Sequence, residues 1–241
     1  NTTLVTGAPL KNLGELLREM SLRLYDHTPN LGRIFVQGGF AGEGVVPADQ
    51  QLEKFKGKVT VPTYNLNGDP KSALRLLDVA RRGWFSEVRF VSKNVCHGVK
   101  YDQDMHLKFL LSMHGLCGHK DWEVCECDCH HDSNIMHIMA CCGECPYCQR
   151  NIRYGFDLTP DVERRAKARK LIIDGMAEYL SRREEGKAFH DPLAAMCALN
   201  PGIGEWAEVE LYRERGEWGS KLSPGSGVQI ITGYDHRAFL A

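Results

Sequence analysis

Short apolar runs alternate along this chain with stretches of helical periodicity. Residues 2–6 form a β-rich run that breaks at Gly7-Ala8-Pro9. Leu10, Leu13, Leu16, Leu17, Met20 and Leu24 recur at helical spacing, and Pro29-Asn30-Leu31-Gly32 stops that helix. Ile34-Phe35-Val36 is a continuous apolar run of the kind a buried parallel strand carries. The glycines of Gly38-Gly39-Phe40-Ala41-Gly42-Glu43-Gly44 predict a loop at that strand's C-terminal end. Open α/β sheets bind ligands at such ends, although a flexible surface loop is the plainer reading. Residues 48–58 are polar with Leu52 and Phe55 at helical spacing, and residues 59–61 are a short β-branched run. Residues 70–80 read as a helix with Pro70 in its first turn. Val88-Arg89-Phe90-Val91 is the next strand, leading to Asn94-Val95-Cys96-His97.

Beyond residue 105 the pattern changes. Leu107, Phe109, Leu110, Leu111 and Met113 predict a short helix before a cysteine-rich stretch. Residues 160–185 return to helix, with Val162, Ala166, Ile172, Ile173, Met176 and Leu180 on one side. Phe189-His190-Asp191-Pro192-Leu193 then opens an apolar helix. Asp191 stands at its start, where a carboxylate meets free N–H groups, and Pro192 suits the first helical position. Residues 206–212 and 227–232 are the last predicted strands, and Glu210, Arg213, Glu214, Arg215 and Glu217 read as solvated strand or turn faces. The rhythm predicts an α/β fold: a mostly parallel, Rossmann-like sheet with helices on both faces, plus a small cysteine-rich, metal-bound insertion. Residues 1–97 and 156–241 form the two parts of the core, and residues 98–155 the insertion.

Composition adds limits. A chain of 241 residues is long enough for a substantial core, and its net charge of −1 favours neither nucleic acid nor a membrane surface. No apolar run is long enough to span a bilayer, and no secretory signal pattern opens the chain. An intracellular location, cytoplasmic or organellar, is expected. The chain lacks an initiator Met and begins inside a strand, so a further segment is expected upstream.

Seven of the ten cysteines, Cys125, Cys127, Cys129, Cys141, Cys142, Cys145 and Cys148, crowd into one window with His130, His131 and His137. The Cys-x-x-Cys spacings Cys142–Cys145 and Cys145–Cys148, with Cys125, Cys127 and Cys129 alternating, suit tetrahedral thiolate ligation of structural Zn²⁺. An iron–sulfur cluster is an alternative, although the fourth ligand at the bacterial ferredoxin spacing is missing. Disulfides are another if the protein is secreted. An insertion with few large aliphatic side chains needs such a staple. Glu123, Glu126, Asp128, Asp132 and Glu144 deny it a basic face, which argues against nucleic acid.

Four stretches resemble the inosine–uridine preferring nucleoside hydrolase family, in the family's order. Thr3-Leu4-Val5-Thr6-Gly7-Ala8-Pro9-Leu10-Lys11-Asn12 is similar to its strand–turn–helix ending in Pro-Leu-Thr-Asn. Arg33-Ile34-Phe35-Val36-Gln37-Gly38-Gly39 is similar to its Met-Gly-Gly strand. Tyr64-Asn65-Leu66-Asn67-Gly68-Asp69-Pro70-Lys71-Ser72-Ala73 is similar to its Glu-Phe-Asn-…-Asp-Pro-Glu-Ala-Ala segment, and Phe189-His190-Asp191-Pro192-Leu193 to its His-Asp-Pro segment. The resemblance covers residues 1–97 and about 156–241.

It implies hydrolysis of the N-glycosidic bond of a ribonucleoside or related ribosyl compound by metal-activated water. Asp191 matches the family's last Ca²⁺ carboxylate, the carbonyl of Gly7 (or of Thr6) its carbonyl ligand, His190 the histidine beside the leaving base, and Asn65 an asparagine that binds the sugar. The family's aspartate cluster, Asp-x-Asp-x-x-x-Asp-Asp, is absent. Thr63 stands where the family has Glu, and Val45 where it has Asn. One carboxylate and a carbonyl are too few for Ca²⁺. The rival expectation is a catalytically degenerate structural or assembly subunit, stabilised by zinc and working with a protein partner or a second copy. His97 and Tyr101 follow the strand where the family's loops cover substrate, and a lone His there reads first as structural.

Overall fold

The computed structural model describes residues 2–23, 28–114 and 160–240. The zinc ligands expected in the cysteine-rich insertion, Cys125, Cys127, Cys129, Cys142, Cys145 and Cys148, lie outside these residues. The chain divides into two units, residues 1–99 with 188–241 and residues 100–187.

The first unit is built on a seven-stranded sheet in the order β1-β2-β4-β9-β7-β8-β3. β1 (Thr3–Thr6), β2 (Arg33–Gln37), β4 (Glu87–Val91) and β9 (Val228–Tyr234) run parallel. β7 (Gly204–Glu214), β8 (Glu217–Leu222) and β3 (Thr60–Val61) then add antiparallel. The sheet is therefore mixed, and the expectation of a mostly parallel one is corrected. The reason is local. Arg215 and Gly216 both take positive φ, at 48° and 88°, and this closes β7 directly onto β8. A two-residue turn of that kind makes a hairpin, whereas a parallel partner needs a crossover. β8 shows almost no apolar alternation, yet Trp218, Gly219 and Ser220 are buried.

The strand parity explains how helices cover both faces. Ile34 and Val36 of β2 and Val88 and Phe90 of β4 join one buried cluster. Leu10, just before α1 (Lys11–Arg23), Leu17 within α1, and Leu76 and Leu77 of α3 (Pro70–Arg81) belong to it too. Gly14 lets α1 and α3 approach, since a Cβ there would lie 1.9 Å from Ser72 Oγ. On the opposite parity Phe35 packs edge-on to Trp206, and the Arg89 guanidinium stacks 4.5 Å over the Trp206 ring. The apolar helix α7 (His190–Leu199) packs on β1 and β2, burying Leu193, Ala194, Cys197 and Ala198. It starts at His190 with Phe189 as cap, so Asp191 and Pro192 are its second and third residues rather than cap and first. Pro192 fits there because the first intrahelical bond is donated by Leu193 N–H to Phe189 O.

Two loop expectations also change. Residues 48–58 contain only a 3₁₀ turn, Glu53–Phe55, because Phe55 tucks against Phe40 instead of continuing a helix. The glycine-rich loop after β2 is buried from Gly38 to Gly42 rather than a mobile surface loop. Ser92 Oγ accepts from Ala41 N, and Asn94 Nδ2 donates to Ala41 O. Ser92 caps α4 (Lys93–Cys96), which follows β4 directly. α2 (Tyr64–Gly68) is pinned by Asn67, which donates to Gly216 O and accepts from Trp218 Nε1, both at 2.9 Å. α8 (His236–Leu240) ends the described chain.

In the second unit, α5 (Gln103–His114) and α6 (Pro160–Arg182) pack together beside the two-stranded pair β5 (Lys100–Tyr101) and β6 (Lys187–Ala188). Ile173, Met176 and Leu180 are buried along α6, whereas Ile172 is 42 % exposed. Tyr101 is fully buried and shares a 3.0 Å hydrogen bond with His106 Nδ1. No helix among the described residues is long and apolar enough to cross a membrane.

Candidate functional site

A cavity of about 450 Å³ opens at the C-terminal ends of β1 and β2, where parallel strands leave unpaired backbone and their following loops diverge. Its lining comes from five segments: Gly7 after β1; Gln37 and Gly38 at the end of β2; Thr63, Tyr64 and Asn65 at the start of α2; Lys93 and His97 of the α4 region; and His190 and Asp191 in the first turn of α7. Gly7, Asn65, His190 and Asp191, distant in sequence, thus share one cavity.

Asp191 sits in the first turn of α7, where the helix dipole favours a carboxylate. Its side chain lies against Gly7, so closely that a Cβ on Gly7 would be 2.9 Å from Asp191 Cγ. Asn65 is buried, and its Nδ2 donates to Gln37 O at 3.0 Å and to Gln37 Oε1. That engages the nitrogen and leaves Asn65 Oδ1 as the acceptor for a ligand. Gln37 Nε2 in turn donates to Cys96 Sγ at 3.3 Å.

His97 lines the cavity rather than serving only the core. Its ring stacks on His190, with centroids 4.3 Å apart and planes 18° from parallel. Burial, then His190, Lys54 and Lys93, hold His97 down at about 4, so it is neutral at physiological pH. Lys54 Nζ lies 2.8 Å from His97 Nδ1. An ammonium can only donate, so Nδ1 accepts and Nε2 carries the proton. Burial pushes the Cys96 thiol up to about 12, leaving a buried, inert thiol.

Ligand sets can be tested against these groups. Cys96, His97 and His190 hold donor atoms within 4.8 Å of one another. Near-parallel stacked imidazoles, however, direct their in-plane lone pairs along separate lines, and Lys54 occupies His97 Nδ1. The described set therefore needs ring rotation before it converges on one ion. Ca²⁺ fits less well. It takes six to eight oxygens, several of them carboxylate. Among the described residues the cavity supplies one carboxylate, Asp191, beside the Gly7 carbonyl and amide oxygens of Gln37 and Asn65.

Sequence reasoning missed Gln37, Tyr64 and Lys93 as lining residues, and treated Thr63 only as a departure. Their shared signal is position: each lies at or just past a strand end, or on the short helix beside it. Tyr64 is 83 % exposed, an aromatic face at the cavity's rim.

No known family model matches the chain. An uncharacterized protein of Aquifex aeolicus (strain VF5) is 22% identical over 191 residues, which is 78% of this chain and 46% of that protein. The chain thus spans about half the length of the relative it matches.

Proposed function

We propose that the cavity binds a ribosyl compound and that the chain is nucleoside-hydrolase-like, acting on the N-glycosidic bond. The observation that carries the reading is the gathering of Gly7, Asn65, His190 and Asp191 around one sugar-sized hollow at the strand ends. Asp191 and Asn65 Oδ1 offer acceptors for vicinal hydroxyls. Stacked His97 and His190, with Tyr64 at the rim, offer aromatic faces and a ring N–H for a base. In hydrolysis, Asp191 is the group able to take a proton from water and to face the positive charge that develops on the sugar ring. The described oxygens are too few to hold calcium, and the roles of Asp191 and Asn65 do not depend on it.

The second reading is a catalytically degenerate subunit that keeps the fold for binding or assembly. The single carboxylate among the described lining residues favours it, since hydrolysis of this bond asks for both water activation and charge stabilisation. In either case the cysteine-rich segment is proposed to carry structural zinc. The deciding experiment measures ribose release from a nucleoside panel alongside ribose and nucleoside binding by calorimetry. Release abolished by Asp191→Asn supports the first reading, binding without release supports the second, and absence of both overturns the ribosyl site.

A further inference from the structure

The cavity's charge is uneven. Lys93 projects from the first residue of α4 into the lining, half-buried, and donates from Nζ to Pro62 O at 2.8 Å. That contact uses one of three ammonium donors and fixes the head group next to Thr63. No carboxylate pairs with Lys93 among the described residues. Burial, then Lys54 and Lys58, lower its pKa, with Cys96 acting the other way. Neither Lys54 nor Lys58 has an ion pair among the described residues. Lys93 thus lines the wall without an ion pair among the described residues, its Nζ 5.9 Å from the Phe55 ring centre, and Lys54 and Lys58 add positive charge near it.

A second observation points to the same place. Thr63 is 3 % exposed, lines the cavity, and its Oγ1 is buried without a hydrogen-bond partner. It does not cap α2, although it stands at the cap position. A buried hydroxyl left without a partner is costly, and a ligand oxygen would satisfy it. The residue type matters too. Thr63 is a neutral hydroxyl and brings no negative charge of its own that would repel an anion beside Lys93.

We propose that Lys93 and Thr63 form an anion subsite, and that the ribosyl compound taken by the cavity carries a phosphate monoester there. This rests on the ribosyl reading above and narrows it from a neutral nucleoside to a sugar phosphate or nucleotide. Lys93 supplies two charge-assisted donors and Thr63 one hydroxyl donor to the phosphate oxygens. Lys54 and Lys58, exposed and acting on Lys93, add attraction that salt screens. Asp191, against Gly7, is left for the sugar hydroxyls.

The test is calorimetry on the full chain with ribose, ribose 5-phosphate and inorganic phosphate as separate probes. Ribose 5-phosphate is expected to bind at least tenfold more tightly than ribose. Lys93→Gln is expected to collapse that ratio toward one, Thr63→Val to reduce it by a smaller factor, and Lys93→Arg to retain most of it. Equal affinity for ribose and ribose 5-phosphate overturns the anion subsite and leaves the ribosyl reading standing. Binding of inorganic phosphate in a Lys93-dependent manner, with no ribosyl compound bound, overturns the ribosyl reading and the phosphoester assignment together. Arsenate- or phosphate-stimulated base release from an unphosphorylated nucleoside also overturns the assignment, because the anion would then be a co-substrate and not a substituent.

Discussion

Gly7→Ala separates the cavity's function from the fold's stability. The added Cβ would sit 2.9 Å from both Asp191 Cγ and Oδ1 and 3.3 Å from Asp191 Cβ. Ordinary contact begins at 3.4 Å, so the carboxylate must move by about 0.5 Å. The atoms in the way are the end of a side chain, not backbone, and Gly7 does not occupy the left-handed region. The crowding is therefore cheap, and the loss of unfolded-state freedom on replacing glycine offsets it by about 0.4–1 kcal/mol. The net change in stability is expected within about 1 kcal/mol, a Tm shift of about 2–4 °C for a chain of this size. Ligand affinity should fall by roughly tenfold, since the displaced group is the cavity's carboxylate and misplacement by about 1 Å can cost a hundredfold.

Gly14→Ala is the contrasting perturbation. Its Cβ would lie 1.9 Å from Ser72 Oγ, 2.3 Å from Ser72 Cβ and 2.9 Å from Ser72 Cα, so helix α3 itself must retreat. A loss of about 3 kcal/mol or more is expected, at the upper end of overpacking costs. Thermal melts and calorimetry with a ribosyl ligand read the two variants side by side. If Gly7→Ala binds as well as the parent, Asp191 is not the group that holds the sugar. If it unfolds the protein as severely as Gly14→Ala, the contact between Gly7 and Asp191 is structural and the reasoning fails.

Three further outcomes are expected. Asp191→Asn should weaken ribosyl binding by roughly 10- to 100-fold, the worth of about 1.5–3 kcal/mol for hydrogen bonds to a charged group, with Tm nearly unchanged; unchanged affinity on calorimetry refutes its role. Because His97 is held at about 4 against an ordinary 6.5, the unfolded chain binds a proton between those values that the folded chain refuses. Stability should thus be full above pH 6.5 and fall as pH drops toward about 4, and urea melts of His97→Gln should show a flatter curve; an identical slope sinks the assignment. Elemental analysis of the purified chain should find zinc that is released when Cys145 and Cys148 are changed to Ser, and iron in its place would replace the zinc reading by a cluster.

Elements whose burial matches their pattern were legible. The strands β2 and β4, the helices α1 and α3, and the glycine loop after β2 follow from apolar period and glycine placement, whereas β1 forms although none of its residues is buried. β8 was not, because its buried residues are Trp218, Gly219 and Ser220. Gly219 is kept small by Tyr212 and by the Val59 carbonyl, and Ser220 Oγ donates to Phe40 O, so tertiary contacts rather than alternation fix the strand. The mixed topology was hidden for the same reason, since the Arg215-Gly216 turn carries no Asn-Gly or Asp-Gly signal. Within the site, Asp191, His190, Asn65 and Gly7 could be singled out by resemblance. Lys93 could not: a lysine after a strand is ordinary until the fold turns it toward a cavity with no ion-pair partner among the described residues.

The arrangement of donors limits what the cavity can do with a bound base. Lys54 forces the Nε2–H form on His97, and with a pKa of about 4 the imidazolium is on the order of one part in a thousand at pH 7. His97 therefore offers a departing base a hydrogen bond but almost no proton. Asp191 in the same cavity offers the reverse: carboxyl oxygens that accept from water or hydroxyl. On the proposed reading these groups, with Lys93 and Asn65, hold a ribosyl ligand, because binding needs only complementary donors and acceptors. Cleavage needs a proton delivered to the leaving nitrogen, and among the described lining residues His190 is the remaining titratable ring placed to supply it. Affinity and turnover should consequently respond to different residues. Asp191→Asn should cost both, whereas His190→Gln should cost turnover and leave most of the affinity in place; loss of binding without any change in turnover per bound ligand would show that the stacked ring is a platform and not an acid.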